Sequence, residues 1–284
     1  MNLRKWCGLT AALLCLVLAL TACSGTPTES TVSAPTTPTT PTTTPTTAAP
    51  TPADLYAAAA AADQKMSDLN GLDFTADITV EIQGGDTSVS TKIAMDLVTV
   101  KNDETGIDFA LNMKTSAMGQ AAEQKMWYKD GFLYMDAEGQ KIAMPVSLEQ
   151  AAEAVKLSST LELSEDMFKN ATVTEENGLR TIRTTFDGAA LKQWLADSGL
   201  ENIANIGDDT DLTFGTSELT VTVNEQGYMT SEALKLPMAV KVGAQEIAMT
   251  LTEDITFNNP GQEVTVNWPD FSGFTVTDLG DMEG

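Results

Sequence analysis

The chain has no histidine, and its three cysteines, Cys7, Cys15 and Cys23, all lie near its start. Without imidazole or a downstream thiol, Ser-His-Asp and Cys-His catalysis, Cys/His zinc sites and histidine-ligated haem are excluded beyond Cys23. Basic residues are also scarce, 16 Lys and Arg against 40 Asp and Glu, a formal charge of −24. Nucleic acid and bare anionic lipid surfaces are polyanions that such a chain repels, and are therefore poor partners; no nucleic-acid partner is expected. Carboxylate-only chemistry survives in principle, since glycosidases need two acids about 5 to 9 Å apart. Among 40 acids, however, candidate pairs carry no information. Asp208-Asp209-Thr210-Asp211 has neither the Gly nor the Glu that a calcium loop needs at its sixth and twelfth positions, and reads as a solvated acidic loop. No catalytic residue, metal or cofactor is assigned, and the chain is read as a non-enzyme.

Long apolar runs are missing too, with one exception. Leu9 to Leu20 is about a dozen residues, short of the roughly 20 that span a bilayer as a helix. It follows Arg4 and Lys5 and leads into small residues, the pattern of a secretory signal. The tetrapeptide Leu20-Thr21-Ala22-Cys23 resembles the bacterial lipobox, against the alternative of an ordinary secreted protein with a chance cysteine. The resemblance implies cleavage after residue 22 and a diacylglycerol on Cys23, a lipid anchor at the extracytoplasmic face of the cell membrane. Cleavage would take Arg4 and Lys5 from the 16 basic residues, leaving 14 against 40 acidic and a charge of −26.

From Cys23 to Pro52 the chain is almost entirely Thr, Pro, Ser and Ala, with a single charge at Glu29. Such a segment buries too little apolar surface to offset its ordering entropy, and is expected to be a disordered stalk. At about 3.1 Å per residue in polyproline II its reach is on the order of 90 Å. Residues 53–284 are expected to form one domain.

That domain opens with a helix: Thr51 can cap, Pro52 suits the first position, and Leu55, Ala59, Ala62, Met66 and Leu69 make one thin stripe up to Asn70-Gly71. Strict alternation of Leu72, Phe74, Ala76, Ile78, Val80 and Ile82 predicts a strand. A turn at Gly84-Gly85 would place Val80 opposite Val89, Ala76 opposite Ile93, Phe74 opposite Met95 and Leu72 opposite Leu97. Ile107, Phe109, Leu111 and Met113 continue the pattern.

From Lys125 to Met144, the turns Asp130-Gly131 and Glu138-Gly139 predict a meander with Tyr128 facing Leu133 and Met126 facing Met135, which faces Ile142. Its other face carries Trp127, Tyr134 and an Asp136 to Lys141 ion pair. Ser147 and Gln150 form a capping-box pattern, and Asp187 can cap a second short helix with Leu191, Trp194 and Leu195. Asn177-Gly178 predicts a hairpin with Val173 opposite Ile182 and Glu175 opposite Arg180; Gly243-Ala244 predicts another pairing Val240 with Ile247, Met238 with Met249 and Leu236 with Leu251. Pro237 implies an edge or a bulge.

The sum is an α+β fold, a large curved antiparallel half-barrel of about 10–11 strands wrapped over a few short helices. Met95, Met113, Met126, Met135, Met144, Met238 and Met249 fall on its inferred inner face with Phe74, Ile78, Phe109 and Tyr128. Flexible methionines suit a cavity for varied apolar ligands, or else fill an irregular core. The lipobox, the stalk, Gly71-Leu72-Asp73-Phe74, Trp127 through Tyr134 and Gly139-Gln140-Lys141 together resemble Gram-positive lipoproteins of LolA/LppX-like type. That resemblance implies a half-barrel whose hollow holds acyl chains. Two functions follow: a membrane-tethered carrier of a lipid or other apolar molecule, or an envelope sensor or adaptor meeting a protein partner through exposed Trp127, Phe132 and Tyr134.

Overall fold

The computed structural model describes residues 49–84, 87–102, 106–148, 150, 163–188, 191, 210–242 and 245–277. The signal segment, Cys23 and nearly all of the stalk lie outside these residues, as do the acidic loop at 208–209 and most of both short helices.

Period-two alternation of apolar side chains makes strands of most of what is described. In chain order they are β1 (Gly71–Gly84), β2 (Thr87–Asn102), β3 (Gly106–Ala117), β4 (Gln120–Lys129), β5 (Phe132–Ala137), β6 (Gln140–Pro145), β7 (Thr172–Glu176), β8 (Leu179–Phe186), β9 (Thr210–Phe214), β10 (Ser217–Asn224), β11 (Met229–Val242), β12 (Gln245–Phe257) and β13 (Thr275–Val276). All thirteen join one open, curved sheet in the order β13-β6-β5-β4-β3-β2-β1-β12-β11-β10-β8-β7, with β9 also paired to β11. Every pairing is antiparallel except β13 with β6, which is parallel. The half-barrel read from the sequence is therefore present, with two short strands more than the upper expected count.

The tight turns explain why the meanders form. Asp130-Gly131, Glu138-Gly139 and Asn177-Gly178 all have positive φ at both residues, the twist that lets two residues reverse a strand. Tyr128 faces Leu133, Met126 faces Met135, Met135 faces Ile142, Val173 faces Ile182 and Glu175 faces Arg180, as expected. Asp136 pairs Lys141 at 3.8 Å. The β11–β12 register also follows the sequence reading.

The β1–β2 register does not. Ile78 faces Ile93, Ala76 faces Met95 and Phe74 faces Leu97, two residues away from the expected pairing. A shift of two leaves every side chain on its own face, so apolar matching cannot distinguish the two registers. The closing pair decides it: Gly84 opposes Thr87, whose Oγ1 donates to the Gly84 carbonyl at 2.8 Å.

Pro237 marks neither a sheet edge nor a bulge. It pairs with Thr250 of β12, while the other edge of β11 carries β10 along one half and β9 along the other. Between them the Gly215 N–H donates to the Pro237 carbonyl at 2.8 Å. The missing proline donor thus falls at the junction of two strands, where no ladder bond is lost.

Helix α1 (Pro52–Ser67) is capped as its sequence predicts: the Asp54 N–H donates to Thr51 Oγ1 and the Thr51 N–H donates to Asp54 Oδ2. Leu55, Ala59, Ala62 and Met66 are buried against β7, β10, β11 and a 3₁₀ turn at Glu165–Phe168. At the next helix start, the Ser147 and Gln150 side chains exchange the expected capping bonds with each other's N–H groups.

Candidate functional site

The residues expected to line a cavity do share one face of the sheet. Across seven strands the register aligns Phe257, Phe74, Leu97, Leu111, Met126, Met135 and Ile142 in one apolar row. A parallel row runs through Phe109, Tyr128, Leu133 and Met144, where the Phe109 and Tyr128 rings stack with centroids 5.8 Å apart. The methionines meet in cross-strand pairs: Met95 with Met113, Met126 with Met135, and Met238 with Met249. None of these pairings needs tertiary coincidence, because each follows from alternation plus register.

Burial along this face is graded. Phe74, Ile78, Met95, Phe109, Met126, Tyr128, Met144 and Met249 are buried, whereas Met113, Met135 and Met238 are partly exposed. Ile82 and Val89, next to the β1–β2 turn, are also partly exposed. The face is thus closed at the Phe109–Tyr128 row and opens toward the β1–β2, β3–β4 and β11–β12 turns. The Tyr128 hydroxyl donates to the Val146 carbonyl at 3.4 Å, and burial pushes its pKa up, so it stays a neutral donor.

One inward residue was missed by the sequence reading. Glu253 lies between Leu251 and Ile255 on β12, in register with Ile78 and Leu234, and is only 6% exposed. Burial, then the nearby carboxylates of Glu232 and Asp254, push its pKa up from 4.5 to about 8. The signal was available: Leu251, Ile255 and Phe257 set a period of two that places residue 253 on the same face.

On the outer face, Trp127, Phe132 and Tyr134 are not the freely exposed aromatics expected. Each is half-buried, and residues 268–274 lie over the group. Phe271 stacks on Tyr134 with centroids 3.9 Å apart, while Phe274 meets Trp127 and Tyr134 edge-on. Lys129 and Lys141 sit against the Trp268 and Phe274 rings. The segment is fixed beyond this contact by β13 and by the Thr277 N–H, which donates to the Ala143 carbonyl at 2.9 Å. Sequence alternation identified the sheet half of this cluster and could not identify its lid, which comes from irregular chain.

Among the described residues, no group of three or more His, Cys, Asp and Glu side chains could hold a metal ion, and no helix is long and apolar enough to cross a membrane.

Comparison with curated proteins found no match. Among solved structures the chain is similar to LprF of Mycobacterium bovis, at 12% identity, 80% of this chain, 100% of that chain and a TM-score of 0.40. It is also similar to a DUF1329 family protein of Desulfovibrio piger, at 9% identity, 74% and 93% coverage and a TM-score of 0.27. A third likeness, at 11% identity, 73% and 93% coverage and a TM-score of 0.20, is to a domain from Vibrio parahaemolyticus assigned as an outer membrane lipoprotein-sorting protein. None of these likenesses bears on the site, which stands on its own geometry. Over residues 51–269 the chain matches one family model, and it belongs to that family of unknown function, DUF6612.

Proposed function

We propose that this chain is a membrane-tethered extracytoplasmic lipoprotein that binds or carries a lipid or other hydrophobic molecule against the inner face of its half-barrel. The observation that carries the reading is the apolar row across seven strands, which includes the Met126–Met135 pair, is flanked by Met95–Met113 and Met238–Met249, and is graded from a closed end to an open one. An acyl chain laid along such a face is desolvated at about 25 cal/mol per Å². Paired thioethers can repack around chains of different shape, which suits a ligand class better than a single ligand. Acylated Cys23 supplies the membrane partner, the Thr/Pro stalk to residue 52 supplies reach, and residues 53–284 act as the binding domain of a Gram-positive LolA/LppX-like lipoprotein.

The sensor or adaptor reading has less support, because the chain's own Phe271 and Phe274 cover the aromatics it would use. The test is native mass spectrometry of the full chain carrying Cys23→Ser, purified without detergent, with extraction of what co-purifies. The substitution should release the protein from membranes, and a stoichiometric apolar adduct should accompany it. Unchanged membrane retention would sink the anchor. A clean mass that takes up no added long-chain amphiphile would sink the carrier.

A further inference from the structure

Resting on the carrier reading above, the tip of one hairpin narrows where the hydrophobic molecule is handed over. The inner face opens toward the β3–β4 turn, and its lining runs on to that turn through Met113, Thr115, Ala117 and Ala122. Residues 120–123 of β4 pair with β3 alone, because β5 first meets β4 at Gln124, so this end of the hairpin projects past its neighbour. No residue from 115 to 122 is charged, and the cross-strand pair that bounds the tip, Lys114 and Glu123, is an ion pair at 4.0 Å. In a chain with 40 acids against 16 bases, the tip is a neutral point.

At its apex stands Met118, 56% exposed and with φ at 49°. A two-residue turn of this twist favours Asn, Asp or Gly. Elsewhere among the described residues, the non-glycine positions with positive φ are Asp130, Glu138, Asn177 and Asn259, all polar. Met118 bears the cost of that conformation without packing in return, and a Cβ added at Gly119 beside it would meet nothing within 4 Å. An exposed apolar side chain held where a polar one folds better is accounted for by an apolar phase outside the chain. We propose that the β3–β4 tip docks shallowly on the uncharged lipid of the bilayer that holds the anchor, with Met118 entering the boundary between headgroups and acyl chains. The open end of the inner face then meets the membrane, and the hydrophobic molecule passes between them without crossing water. One methionine and a few alanines fall far below the roughly 1,000 Å² that a specific protein partner needs. A bilayer accepts so small a wedge, since binding there scales with the apolar area buried. Acylated Cys23 and the stalk hold the tip near the surface, and the resulting effective concentration makes a weak contact sufficient.

The test loads the full chain carrying Cys23→Ser with pyrene-labelled hexadecanol and follows transfer of the probe to phosphatidylcholine vesicles. With Met118 in place, the transfer rate should rise with vesicle concentration. Met118→Asp and Met118→Asn should each lower that rate at least about fivefold, while the affinity for the probe in solution stays within about twofold. Met118→Asn should at the same time raise stability to urea, because asparagine suits the turn, the opposite of what a residue kept for folding would show. Leu179→Asp, which removes an exposed leucine at the opposite end of the sheet, should leave transfer unchanged. Unaltered transfer by both Met118 variants, or a rate independent of vesicle concentration, would overturn the docking and leave the apolar-ligand reading standing. Failure of the probe to bind would overturn that reading alone, and flotation of the same proteins with the vesicles then decides the docking. Flotation lost in Met118→Asp supports it, and equal partition of the two proteins overturns it.

Discussion

The buried carboxyl of Glu253 ties stability to pH. Because Glu253 has a folded pKa raised from 4.5 to about 8, the folded protein holds a proton there that the unfolded chain releases. Stability from this group is complete below pH 4.5 and is lost as pH rises through about 8. Glu253→Gln removes the titration, so the variant should gain on the native protein as pH rises from 5 toward 8, by about 1.4 kcal/mol per pH unit, and level off above that. Urea unfolding across this range measures it; a constant difference would show that the carboxyl is not desolvated. Phe109 offers a contrasting case. It is fully buried against Tyr128, and Phe109→Ala should cost about 3 to 5 kcal/mol at any pH. Gly71 is constrained from outside, because a Cβ there would lie 2.8 Å from the Thr99 carbonyl and 2.9 Å from Val264 Cβ. Both contacts are rigid, so Gly71→Ala should lower stability by about 1 to 3 kcal/mol in the same unfolding experiment.

At the scale of elements, the outer aromatic cluster behaves as a clasp between irregular chain and sheet. Phe271 touches Trp127, Tyr134, Trp268 and Phe274, and each aromatic pair contributes about 0.5 to 1.5 kcal/mol beyond its area. Phe271→Ala should therefore lower the melting temperature and red-shift tryptophan emission as Trp127 and Trp268 become wetter. An unchanged spectrum would mean that residues 268–274 hold their place without that ring. The same elements show what a sequence can announce. The β4–β5–β6 meander was legible to the residue, because Asp130-Gly131 and Glu138-Gly139 each permit one tight turn and the strands between them are too short to slip. Around Gly84 to Thr87 two adjacent turns are chemically acceptable, and period-two alternation accepts both registers. The β3–β4 turn went unread because Met118 takes a positive φ that only Gly119 beside it advertised. β13 was invisible for a different reason: two residues carry no period, and their partner, β6, is more than a hundred residues earlier. The inner face was legible as a list, while its carboxyl at Glu253 was hidden in the polar-looking string Thr252-Glu253-Asp254.

The whole molecule carries 40 acids against 16 bases, and the sheet makes some of that repulsion local. Asp77 on β1 directly opposes Asp254 on β12, both exposed, a pairing that costs stability in low salt. Raising sodium chloride from about 10 mM to about 500 mM shortens the Debye length from roughly 30 Å to a few Å and should raise the melting temperature. A flat response would show that the outer-face charges are already compensated. The free edges are managed by length: β13 has two residues, and β7 has five, with exposed Glu175 and Glu176 among them.

The strand order also orders events in time. β1 to β6 are neighbours in sequence and in space, so half of the sheet can assemble from local hairpins alone. Completion waits for β12, which zips to the bare edge of β1 from a point more than a hundred and fifty residues downstream. Local hairpins close within about 1–10 μs, whereas pairing across so long a loop is slow. A chain emerging amino end first therefore displays the β1 edge, the central seam of the finished sheet, until nearly all of the rest has followed, and that interval is where self-association or a chaperone would act.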